Sequence, residues 1–211
     1  MNNSPTTYNR RGGTLLVAGA LLTIAGAVLS AIVGANNSVP DDLARYPFSH
    51  DEFAPFTVFA AACHLLMLVG VLCLARGGLA ADSRTGKIGL GCVTAGLALL
   101  FVCEWAQLPF VDQHTSNTGP SIVDGGFGLA TLLLAGGMIA VGIATLRKPS
   151  LRSWRRYAPL TCGLLSLVVI PIQFTSDLWL GIIVLCLGYA LLGVAAISGS
   201  VHRTDHAIQI A

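Results

Sequence analysis

Six apolar stretches alternate along the chain with short polar connections. They cover residues 14–34, 56–75, 88–108, 122–145, 158–174 and 178–197. An α-helix rises ~1.5 Å per residue, so about 20 residues cross a hydrocarbon layer ~30 Å thick. Five of the stretches reach that length, and the fifth in order is shorter and carries Pro171. The pattern predicts an all-α polytopic membrane protein of six transmembrane helices, with residues 1–211 forming one integral membrane domain. The first stretch has about 20 apolar residues, longer than the ~7–15 of a signal-peptide core, so a retained helix is expected. Cleavage there would leave five spans in the same orientation.

Charge orients the spans. Arg10, Arg11, Arg76, Arg84, Lys87, Arg147, Lys148, Arg152, Arg155, Arg156 and Arg203 flank one side, and only Arg45 lies on the other. Basic residues accumulate on the cytoplasmic side of membrane proteins. Both termini are therefore expected in the cytoplasm, with residues 35–55, 109–121 and 175–177 outside. The segment RKPSLRSWRRY (147–157) is read as charge that sets this topology beside anionic lipid. Composition agrees: 54% of residues are hydrophobic and 10% charged, against about 25% charged in soluble domains. The abundance of Ala, Gly, Leu and Val with little Lys points to a bacterial cytoplasmic membrane. The expected partners are the lipid bilayer and either another membrane protein or a second copy; no nucleic-acid partner is expected.

The spans pair into three helical hairpins. Their ascending helices share a texture, VAGALLTIAG, VTAGLALLFV and LTCGLLSLVV, which raises the question of a triplicated unit. Six spans in three hairpins also resemble the mitochondrial carriers. Pro40-Asp41-Asp42-Leu43-Ala44-Arg45 matches one form of their Pro-x-Asp-x-x-Arg motif, but the corresponding positions LPFVDQ and IPIQFT do not, so nothing is carried over. Small residues recur on one face of two helices: Gly19, Thr23, Gly26, Ser30 and Gly34 in the first, and Gly89, Cys92, Gly96 and Cys103, with Leu100 and Gln107 on the same face, in the third. Such stripes let helices approach closely in lipid, where no hydrophobic force draws them together.

Polar residues inside the spans carry the candidate chemistry. Glu104 lies five residues before Pro109, ~7–8 Å below the expected outer boundary. His64 lies eight residues after Phe56, ~12 Å deep. An ionisable side chain among lipid tails costs ~2.5–3.5 kcal/mol or more at the membrane centre, so it faces the bundle interior or a wet cavity. These positions predict an outward-opening polar pocket. Glu104 and His64 would form its floor, Gln107 and Gln173 its walls, and Asp124 and Asp177 its rim. A carboxyl held partly out of water beside a histidine suits proton exchange or cation binding.

Other chemistries fit less well. His64 is the only histidine in a span, and bis-histidine haem needs two. No HExxH, GxSxG or P-loop occurs. The six cysteines lie in the spans without a CxxC spacing, so they read as packing residues. Neither a metal nor another cofactor is expected, and catalysis is a minority reading. Three stretches, RYPFSHDEF (45–53), FVCEWAQ (101–107) and GGMIAVGIATLR (136–147), resemble a group of small actinobacterial integral membrane proteins across most of the chain. That resemblance implies a multi-span helical fold and no functional residues. The functional expectation is small-solute binding or transport, with proton linkage as one form of it, through the outer pocket. Its alternative is an accessory or regulatory subunit whose small-residue faces pack against another membrane protein.

Overall fold

A computed structural model describes residues 5–79, 83–147, 154–172 and 178–208, with side chains of the last helix as far as Ser198. Six helices follow one another: α1 Pro5–Asn36, α2 His50–Arg76, α3 Arg84–Ala106, α4 Thr118–Leu146, α5 Ala158–Ile172 and α6 Leu178–Ile208. A short 3-10 turn at Leu108–Phe110 extends the end of α3. No strand occurs among the described residues; Leu43 and His114 form one isolated antiparallel bridge. Among the described residues, five helices are long and apolar enough to cross a membrane. The exception is α5, whose 15 residues rise only ~22 Å against a ~30 Å hydrocarbon core. The sequence extends that span to residue 174, and residues 173–177 lie outside the described chain.

The helices outrun their apolar cores. α1 begins nine residues before the first apolar stretch, and α2 begins six before the second. Hydrogen-bonded helix continues as long as the chain allows, whereas hydropathy registers only the part that favours lipid. Local signals set the ends. Ser83 caps α3 by accepting a hydrogen bond from Gly86 N–H at 2.9 Å. At the start of α2, Glu52 accepts from the Ser49 N–H at 3.0 Å and the Ser49 hydroxyl at 2.6 Å. The end of α2 is a Schellman turn. Leu79 N–H donates to Leu74 C=O, Gly78 N–H donates to Ala75 C=O, and Gly78 takes φ 89°, a left-handed conformation that favours glycine.

Each helix packs antiparallel against its neighbours in sequence, and α6 returns against α1 to close a ring. Every helix contributes to the centre: Leu16, Met67, Leu97, Leu134, Cys162 and Tyr189 are fully buried there or nearly so. Paired glycines bring backbones together. A Cβ on Gly12 would stand 2.7 Å from Gly70 O, one on Gly13 2.6 Å from Gly193 O, and one on Gly89 2.6 Å from Gly137 O. Both predicted small-residue stripes are thereby used within the chain. Gly19 and Gly26 of α1 meet Met67 and Phe59 of α2, while Gly89 and Gly96 of α3 meet α4. The outside of the ring is apolar, with Leu21, Ile32, Ile88, Val102, Ile122 and Leu187 all more than half exposed. A surface of this kind belongs against lipid.

The two ends differ. We call the end where α1, α3 and α5 begin the near end, and the opposite one the far end. At the far end the connections 37–49 and 107–117 are joined. Ala44 N–H donates to Gln113 C=O at 2.9 Å and Thr115 N–H to Asp42 C=O at 2.7 Å. Arg45 pairs with Asp112, which also meets His50 at 3.0 Å, and His114 meets Asp42 at 2.7 Å.

Candidate functional site

Glu104 owes its position to register. On α3, Leu97, Leu100 and Glu104 recur at spacings of three and four, which is one helical face, and all three are buried. Val102 and Trp105 point the other way, 56% and 44% exposed, and Trp105 meets Phe101 edge-on. Glu104 itself is only 7% exposed, so it does not reach out among lipid headgroups. On α2 the buried face runs through Thr57, Ala61, Met67, Val71 and Leu74, with His64 on the same side.

The two faces meet. His64 Nδ1 lies 3.4 Å from Glu104 Oε1, and both side chains are almost enclosed. The Gln107 amide, one turn further along, donates to Glu104 Oε2 at 2.7 Å. The 3.4 Å approach is within ion-pair range, yet His64 Nδ1 makes no hydrogen bond. We read it as a close polar contact that a small rotation of the ring would convert into a hydrogen bond. Glu104 therefore has one oxygen engaged by a neutral amide and the other facing an imidazole.

The shared level has a cause that apolar stretches do not reveal. His64 lies fourteen residues after the start of α2, ~21 Å of helix rise. Glu104 lies only two residues before the end of α3. α2 therefore projects well beyond α3 at the far end. The turn Leu108–Phe110 and the connection after it fill that step and reach the bridge at Leu43.

Of the other predicted pocket residues, the structure describes only Asp124. Asp124 is exposed in the second turn of α4 and makes no described contact with Glu104, His64 or Gln107. Gln173 and Asp177 lie outside the described residues. The structure does show a groove of about 520 Å³, but it lies elsewhere, between α1 and α2. Neither Glu104 nor His64 lines it.

Sequence reasoning passed over two polar side chains in the interior. Thr57 and Tyr189 are fully buried, and their hydroxyls, like His64 Nδ1, have no hydrogen-bond partner. Thr57 stands seven residues before His64, two turns along the same face, a periodicity the sequence contains. Tyr189 in GYALLG carries no such marker, because a tyrosine in an apolar helix equally well sits at an interface. Among the described residues, no three His, Cys, Asp or Glu side chains are placed to hold a metal ion.

No family model, curated protein or solved structure matches the chain. The functional reading therefore rests on the residues alone.

Proposed function

We propose that the chain is a six-span protein of a bacterial cytoplasmic membrane, of the actinobacterial type its motifs resemble. In this reading it binds or moves a small solute, and Glu104 exchanges a proton or cation with His64 as its partner. Both termini lie in the cytoplasm and the far end faces outward, following the distribution of basic residues. The observation that carries the reading is a carboxyl 7% exposed whose neighbours are an amide and an imidazole rather than a fixed cation. A buried carboxylate needs pairing or neutralisation, and here its most economical neutraliser is a mobile proton. The unpartnered hydroxyls of Thr57 and Tyr189 add polar character to the same interior. An accessory subunit would offer its small-residue stripes to a partner, and the glycines of both predicted stripes are spent on contacts within the chain.

Infrared difference spectroscopy across a pH series tests the site. The wild type should show a protonated-carboxyl band that titrates. Glu104→Gln should remove that band, and His64→Gln should move its midpoint. An unchanged spectrum in Glu104→Gln, with the protein still folded, overturns the proposal. Orientation is tested separately with single cysteines and a membrane-impermeant thiol reagent on intact cells. Ser116→Cys should label and Arg147→Cys should not, and the reverse pattern would place Glu104 nearer the cytoplasm.

A further inference from the structure

The groove between α1 and α2 is a second feature, separate from the Glu104 layer. Ala25, Gly26, Leu29 and Val33 form one wall, and Phe56 and Phe59 stand opposite. Gly26 makes room for the aromatic wall: a Cβ there would stand 3.0 Å from Phe59 Cε1. Phe48 closes the upper end, stacked on Phe56 with ring centroids 4.1 Å apart. The groove opens on the outside of the ring, where Leu29 is 51% and Phe59 37% exposed. Its volume of about 520 Å³ falls within the ~300–1,000 Å³ of small-ligand sites.

Its mouth has one sign of charge. Asp51 and Glu52 both line it, and no lining residue is basic. Glu52 is held by Ser49. Asp51 is exposed and has no hydrogen-bond or ion-pair partner among the described residues. An apolar slot that faces lipid and ends at an unpaired carboxylate suits an amphiphile with a hydrocarbon chain and an ammonium on its head group. A partner helix would need its own basic residue at this height, whereas a phospholipid with an ammonium head group presents both parts together.

We propose that this groove is a binding site for a membrane phospholipid with an ammonium head group, its acyl chain laid along the exposed Ala25, Leu29 and Phe59 and its ammonium at Asp51. This site is independent of the function proposed for Glu104.

The test uses the full chain, stripped of lipid in detergent. It is offered phosphatidylethanolamine and phosphatidylglycerol with identical acyl chains, and bound lipid is counted by native mass spectrometry. The wild type should retain one ethanolamine lipid with a preference of about fivefold, the scale of one exposed ion pair. Asp51→Asn should erase the preference and keep chain binding. Ala25→Phe, which fills the groove from an exposed position, should lower retention of both lipids; an unchanged melting transition confirms that it folds. Equal retention of the two lipids by the wild type overturns the proposal. So does a preference that survives Asp51→Asn, retention untouched by Ala25→Phe, or a second protein or copy that fills the groove in place of lipid.

Discussion

Of the three histidine–carboxylate contacts among the described residues, two look alike by composition and differ in almost everything else. At the far surface His114 lies 2.7 Å from Asp42, with the two side chains 58% and 56% exposed. Inside the bundle His64 lies 3.4 Å from Glu104, with exposures of 12% and 9%. The shorter contact is the weaker device. In water, two charges at 4 Å interact by ~1 kcal/mol, and side-chain entropy and salt remove much of that. The surface pair accompanies backbone bonds that already join the two connections. The buried pair has no backbone substitute. Each of its members was removed from water when the helices packed, so the state of one constrains the other. Distance alone therefore ranks the two contacts in the wrong order, and burial corrects it.

The most drastic way to probe the contrast is charge reversal at each carboxylate. Glu104→Lys would set an ammonium beside His64 with no anion in reach, at a cost of ~3–5 kcal/mol, typical of an uncompensated buried charge. Folded, monodisperse protein should be lost on size-exclusion chromatography. Asp42→Lys should leave the elution profile intact. Equal tolerance of both reversals would remove the distinction between the regions.

Truncation should give a middle-sized effect. Glu104→Ala leaves the Gln107 amide without its acceptor, which costs ~1–3 kcal/mol, read as a lowered melting transition in detergent. Glu104→Gln should recover most of that loss, because its amide oxygen can still accept from Gln107. A Glu104→Gln variant as unstable as Glu104→Ala would show that charge, rather than the hydrogen bond, holds the layer together.

Double-mutant cycles give the finest measure. Coupling between Asp42 and His114 should not exceed ~1 kcal/mol, and raising the salt to 1 M, where the screening length is ~3 Å, should abolish it. Coupling between Glu104 and His64 should persist at the same salt, because ions do not enter a packed interior. A buried coupling that disappears with salt would mean that water reaches the pair freely.

A good part of this architecture is local and could be read from the sequence. An apolar stretch of about 20 residues in lipid has little alternative to a helix, since every backbone group must be satisfied within the segment. The small-residue stripes of α1 and α3 marked the faces that pack, and Leu97, Leu100 and Glu104 already share a face by arithmetic. The placement of Glu104 inside the bundle followed from cost, because a carboxylate facing hydrocarbon has no compensation.

The tertiary structure decided the matters that depend on two elements at once. Hydropathy could not show that α2 starts at His50 and projects past α3, so a count from Phe56 understated how far His64 lies along its helix. Nor could it show that the stripes of α1 and α3 close onto α2 and α4 rather than onto another protein, or that Asp124 is exposed. The groove at Gly26 and the bridge between Leu43 and His114 likewise exist only once helices of unequal length are set side by side. Each residue's preference for helix and for lipid is a property of its own segment. Helix stagger and the choice of neighbour are settled by the sum of contacts across the whole ring, and no single segment carries that sum.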